Sequence, residues 1–481
     1  MNGSRIVRFT VGGLTRAICL LACGVVGPGL SVRASAATGT DEEQIFKLRE
    51  VSVFERNESR FLRGQSAVCR DVPDSEVMAY PRFASEKPVY GSVRFAGKPS
   101  DSSSDVLWYF AVDESRGTGK GYDRFHFDLD RDLDLRNDAV LKPQSRPPEA
   151  GRLSYSSIKQ QVLFDFLSVP FAFGPDSIRP VELMPRLTIS AYGKEEYRQV
   201  TFVRTRLYEG DIKVADKPFR ALLGNDYAVL GPLDSPDTAL VLMPKDDPGR
   251  TAFRWWGGDR LKAVHQIQNE WFTFGASPIG DRLIVRPYRG DLGIFGVGPG
   301  GRPLDKADVT GSLEAQDRAA PIGTVLVDGS LVPVQQCRIP VGDYLPNYLT
   351  VQLGRLRLSL SENYHSDGKP RDRGGRPRVY GMTVRKDRPY VLDFSGPPDV
   401  MFASPAKDQR IKVGDELQVK AVLVDPKLDI MIRGLDDTSR KTNRTADGQT
   451  LGYEQFVALD PKVVIRRVSG AQVAEGVMPF G

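Results

Sequence analysis

The chain holds only three histidines and four cysteines in 481 residues. His126, His265 and His365 lie far apart, with no second His or Cys beside any of them, which leaves no zinc site. No C-x-x-C occurs, so thiol redox chemistry is excluded, and no G-x-S-x-G marks a serine nucleophile elbow. Long apolar runs are missing too. The longest, residues 17–26, falls short of the ~20 residues a membrane helix needs, and mean hydropathy is −0.31. Stretches with a 3.6-residue apolar period are scarce, the best being residues 156–166. Mixed charge at 26%, with 23 Phe and 16 Tyr, excludes wholesale disorder. No catalytic constellation stands out.

What is present is period two. Strand-like runs cover 46–54, 89–95, 106–112, 122–127, 187–192, 200–207, 240–243, 283–285, 324–327, 348–360, 379–385, 417–424 and 462–468. They are rich in Val, Ile, Phe, Tyr and Thr, and clusters of Gly, Pro, Asp and Asn separate them. With 47 Gly and 34 Pro supplying turns, the pattern predicts an all-β chain of serial β-sandwich or small barrel domains. The expected division is a leader at 1–36, a β-rich domain at 37–208 and a second at 209–396. The second carries a polar hairpin tip at 366–378. A C-terminal immunoglobulin-like sandwich is expected at 397–481, opening on Lys412-Val413-Gly414-Asp415-Glu416-Leu417.

The leader has four bases, Arg5, Arg8, Arg16 and Arg33, and no acid. An apolar stretch, Gly27-Pro28-Gly29 and then Ala34-Ser35-Ala36 complete the pattern of a signal peptide, predicting export and a mature start at Ala37. Leu20-Leu21-Ala22-Cys23 offers a rival, lipoprotein-type cut with an anchor at Cys23. Losing residues 1–36 removes four of 66 bases and none of 61 acids, leaving a net charge of +1. The high isoelectric point therefore belongs mostly to the leader, and nucleic acid is not an expected partner. Cys69 and Cys337 remain, and buried, reduced thiols are favoured over a bridge.

Sharp chemistry is confined to one segment. Asp128, Asp130, Asp132 and Asp134 alternate along the chain, with Asp138 following. Calcium wants several hard oxygens converging, and D-x-D-x-D loops supply them. Side chains of Asp128, Asp130 and Asp132, the Asp134 carbonyl and a late Asp138 would serve. Leu133 stands where an EF-hand has Gly and Ala139 where it has Glu, so an irregular loop is expected instead. The competing reading is one long strand, with Phe125, Phe127, Leu129, Leu133 and Leu135 inward and the acids outward. Same-face neighbours ~7 Å apart would then repel by ~0.6 kcal/mol per pair in water, or ~2.4 at an effective dielectric of ~20. Both readings stay open.

Three other features carry less. Gly117-Thr118-Gly119-Lys120-Gly121 has phosphate-loop composition but is followed by a strand, so it reads as a turn. Trp255, Trp256, Trp271, Phe272 and Phe274, the aromatic cluster at 255–274, lie near Asp259 and Glu270. Core packing is the plain explanation; a carbohydrate-binding or carbohydrate-active site is the alternative. Lys369, Arg371, Arg373, Arg376 and Arg378 form a basic run, readable as a solvated loop or as a contact for an anionic envelope polymer.

Residues 107–115, 117–123 and the Asp-rich run, together with Met401-Phe402-Ala403-Ser404-Pro405, Gly414-Asp415, Asp425-Pro426, Met431-Ile432-Arg433 and the closing residues 474–481, carry a resemblance. They resemble uncharacterised secreted β-rich proteins of planctomycete-type bacteria, over about two thirds of the mature chain. The resemblance implies export and β-rich folds, and no activity. The resulting expectation is an exported binding or structural module of the envelope or beyond, with calcium as its candidate cofactor and an envelope polymer or protein as its partner.

Overall fold

The computed structural model describes residues 8–11, 42–56, 61–95, 106–118, 121–149, 157–174, 177–192, 195–225, 230–245, 260–268, 270–298, 306–325, 331–332, 334–361, 381–404, 419–444, 450–466 and 469–478. Among them the only α-helix is the single turn Val53–Arg56, and no sheet closes into a barrel. The chain is all-β and sandwich-like. No helix among the described residues is long and apolar enough to cross a membrane. Even residues 156–166 supply a strand, Ile158–Leu163, because pairing with Ile178–Tyr192 outweighs the local period.

The first sandwich faces a three-stranded sheet (Val89–Phe95, Val106–Asp113, Arg124–Phe127) against a five-stranded one. The latter comprises Gln65–Val68, Glu195–Arg204, Ile178–Tyr192, Ile158–Leu163 and Leu167–Ala172. Alternation places Phe95, Phe110, Phe125 and Phe127 between the sheets, around the fully buried Phe202. Ring centroids lie 5.4–6.1 Å from that of Phe202. Such edge and tilted contacts add ~0.5–1.5 kcal/mol each beyond area burial.

A second sandwich pairs Arg49–Ser52, Arg206–Val214, Lys217–Gly224 and Ala239–Pro244 in one sheet and Gln44–Lys47, Arg282–Pro287, Glu270–Ala276 and His265–Ile267 in the other. In the third body, Leu292–Gly298 lies between Gln336–Pro340 and Tyr390–Asp393 and packs on a nine-stranded sheet.

Main-chain pairing crosses the boundaries expected at 208 and 396. Arg49–Ser52 pairs with Arg206–Val214, and Leu356–Ser361 pairs with Ile430–Arg444. The strands Asp399–Ser404, Lys420–Asp425 and Ile430–Arg444 therefore belong to the nine-stranded sheet rather than to facing sheets of their own. Strand partners are chosen by apolar faces distant in sequence, which a linear reading does not see. The expected run at 348–360 is likewise a hairpin, turning at Gly354 with φ 56°.

The hairpin joining Arg206–Val214 to Lys217–Gly224 turns on Ala215 and Asp216, at φ 47° and 63°. That two-residue loop favours Asn-Gly, because both central residues sit in the left-handed region. Asp216→Gly should raise stability by about 0.5–1 kcal/mol, read from urea midpoints. The exposed Lys213–Asp216 ion pair, 2.9 Å long, takes little away when lost. A lowered midpoint would contradict the strain.

Candidate metal centre

Strand Arg124–Phe127 makes one further bond to its neighbour just past its end, the Asp128 N–H donating to the Tyr109 carbonyl at 3.0 Å. Beyond it the acids curl the chain. Asp130 Oδ1 accepts the Asp132 N–H at 3.3 Å, Asp132 Oδ1 the Asp134 N–H at 2.8 Å, and Asp134 Oδ1 the Arg136 N–H at 3.0 Å. Successive Asx turns of this kind compete directly with a ladder of strand bonds. The long acidic strand is thus replaced by a loop. Arg131 and Leu133 enter the left-handed region at φ 64° and 66°. Each costs roughly 1–2 kcal/mol for a non-glycine residue. Part of that is offset by Leu133 packing beside Val77, Tyr90, Tyr109, Ala111 and Leu135.

The loop sorts the five acids. Asp128, Asp130 and Asp138 each present an oxygen within 4.8 Å of the other two. Calcium–oxygen bonds of ~2.3–2.6 Å put opposite ligands ~5 Å apart, so the three fit one coordination sphere. Asp132 and Asp134 are not in this group. Asp132 Oδ2 accepts from Asn137 Nδ2 at 2.7 Å, and Asp134 is held bidentate by Arg136 at 2.8 and 2.6 Å. That guanidinium keeps the Asp134 carboxyl down at about 2.

Two of the three converging carboxylates, Asp128 and Asp138, are enclosed, while Asp130 is exposed. Asp128 is fully buried; its Oδ2 accepts the Leu133 N–H at 3.2 Å while Oδ1 is sealed from solvent without a partner. Asp138 Oδ1 accepts the Leu129 N–H at 3.0 Å, and its Oδ2 is likewise sealed and unpartnered. Burial raises the Asp128 carboxyl. Burial first, then Asp128, Asp130 and Asp132, pushes Asp138 up to about 6. A buried acceptor without a donor costs ~1–3 kcal/mol, and charged ones more, so these oxygens call for a ligand. Three carboxylates fit a hard divalent cation and leave further positions for carbonyl or water oxygens.

Other sequence nominees resolve differently. Phe272 and Phe274 point into the second core, at 4% and 7% exposure, and Trp271 packs against the third. Glu270 is half-buried beside them, while Trp255, Trp256 and Asp259 lie outside the described residues. The basic run 369–378 and all of the leader except Arg8–Val11 also lie outside them. In the glycine-rich turn, Glu114 Oε2 accepts from Gly121 N–H at 2.8 Å and Thr118 Oγ1 at 2.9 Å, so an acid organises the turn. Cys69 and Cys337 are unbridged and pack against different cores; burial pushes their thiols up to about 12 and about 11.

Sequence reasoning nominated Asp134 and missed the backbone that binds the site to its surroundings. The Leu133 carbonyl accepts from Met78 and Ala79 N–H at 2.9 and 3.2 Å, and the Leu135 N–H donates to Ala79 at 3.0 Å. No local signal in 74–83 announces that contact. Comparison of the chain with family models, with curated proteins and with solved structures finds no match, so the acid loop is read from its own geometry.

Proposed function

We propose that the chain is an exported binding or structural module whose first sandwich is fastened by a calcium ion held by Asp128, Asp130 and Asp138. The observation carrying this is the pair of sealed, unpartnered oxygens on Asp128 and Asp138, two of the three carboxylates that converge in a loop accepting two left-handed residues. Neutralising charge is the ion's contribution. Carboxylate charges no more than 4.8 Å apart repel by about 0.9 kcal/mol per pair even in water, and a divalent ion reverses that sign.

Direct binding tests the reading. Terbium, a luminescent stand-in for calcium, should be sensitised through the nearby Trp108 and Tyr109, and calcium should displace it at one ion per chain. Asp130→Asn should weaken binding at least tenfold. Absence of displaceable luminescence would remove the ion from the account.

Export rests on the basic leader and Ala34-Ser35-Ala36. Intact mass of protein from fractionated cells should show a chain starting at Ala37. A lipid-bearing Cys23 would place it at a membrane instead, and a cytoplasmic chain retaining the leader would refute export.

A further inference from the structure

Residues 71–86 form no strand and lie across the outer face of the three-stranded sheet. They cover Tyr90, Tyr109 and Ala111 with Val77, Tyr80 and Phe83. The segment is anchored near both ends independently of the acid loop. Arg70 and Tyr90 exchange backbone bonds of 2.8 and 2.9 Å, while Ala84 and Ser85 N–H donate to the buried Asp113 carboxylate at 3.0 and 2.9 Å. Its middle is held mainly by the acid loop, through the three backbone bonds of Leu133 and Leu135 with Met78 and Ala79. A Tyr109 hydroxyl bond to Glu76 adds one side-chain contact. Aromatic edges complete the cover: Tyr80 lies 5.1 Å and Phe83 5.7 Å from Tyr90, and Phe83 5.9 Å from His126.

Leu133 joins this strap to the metal centre within one residue. Its N–H donates to Asp128 and its carbonyl receives Met78 and Ala79. All three bonds are made with its φ at 66°, a backbone state that leucine leaves readily when nothing holds it. We infer that the cation acts as a latch: bound to Asp128, Asp130 and Asp138, it fixes the Leu133 peptide and so pins the strap over the Tyr90–Tyr109 face. Without it the carboxylates separate, Leu133 leaves the left-handed region and the middle of the strap lifts between its anchors. The inference rests on the calcium reading and adds a consequence to it. Proteins open locally in cooperative units of differing stability, and this strap, which forms no strand of its own, is such a unit.

Hydrogen exchange on the full chain tests it, with calcium and with chelator at equal ionic strength. Chelation should speed exchange of the Met78, Ala79 and Leu135 amides at least tenfold. Ala84 and Ser85, bound to Asp113, should keep their rates, as should the Lys217–Gly224 strand of the second sandwich. Asp130→Asn in calcium should reproduce the chelated pattern. Two results would overturn the latch while leaving the ion site standing: calcium displaces terbium but strap exchange is unchanged, or the Val106–Asp113 strand accelerates equally, which means global softening. If calcium displaces no terbium, the ion site itself fails.

Discussion

Adding calcium to chelated protein should raise the melting temperature of the first sandwich by about 5–10 °C. At a hundredfold excess over its dissociation constant, a ligand that binds only the folded state contributes about 2.7 kcal/mol. For a unit of 150–250 residues each kcal/mol moves the midpoint by about 2–4 °C. Variants divide the five acids as the structure does. Asp130→Asn keeps an oxygen for the Asp132 N–H and so preserves the turn, but removes a ligand charge; its calcium response should shrink strongly. Asp134→Asn loses only the exposed pair with Arg136, and its calcium response should match the parent's. Magnesium, which demands near-octahedral geometry and dehydrates reluctantly, should give a smaller shift at the same concentration. Superimposable melting curves with calcium and with chelator, at fixed ionic strength, would end the calcium reading.

Acid should unfold the second sandwich through a different group. His265 is 1% exposed, and burial alone pushes its pKa from 6.5 down to about 3. It pairs across the ladder with Phe272, and the Phe274 ring meets its edge at 5.4 Å. Unfolded, the imidazole takes a proton near its ordinary value; folded, it stays neutral until far lower pH. The unfolded state therefore binds more protons between the two values. Stability is fully present above about pH 6.5 and declines by about 1.4 kcal/mol per unit as pH falls toward 3. From pH 7 to 4 this one group removes about 3–4 kcal/mol. His265→Phe should flatten the acid limb by that amount, whatever its stability at neutral pH. Carboxylates held down by bases, such as Glu209 between Arg49 and Arg56, titrate identically in both proteins and cancel from the comparison. Parallel acid limbs for parent and variant would show that His265 does not carry the loss.

The acid segment shows where sequence reasoning stops. Alternate aspartates at 128–134 satisfy two geometries, a half-buried strand and a ladder of Asx turns, since both repeat every two residues. Leu133 argued against a sharp loop, because a side chain disfavours positive φ. The loop forms anyway: Leu133 gains burial and three hydrogen bonds, one to the Asp128 carboxylate and two from the Met78 and Ala79 N–H groups. Those partners include residues over fifty positions away, so no window along the chain weighs them. The convergence of Asp138 with Asp128 and Asp130, and the engagement of the Asp134 carboxylate by Arg136, follow from the same curl.

Class and composition were decided locally. Period-two runs punctuated by Gly, Pro and Asp leave the backbone few alternatives to extended strands, and Val89–Phe95 appears with the bounds its pattern predicts. The Asp-rich segment was likewise legible as the place where chemistry concentrates. Which strands pair was not, nor which acids meet. Those are questions of register and of backbone sign at single residues, settled by burying apolar faces that lie far apart in sequence. Phe272 and Phe274 fill a core rather than a platform for that reason, because strand Arg282–Pro287 and the sheet across from it present the apolar surface they cover.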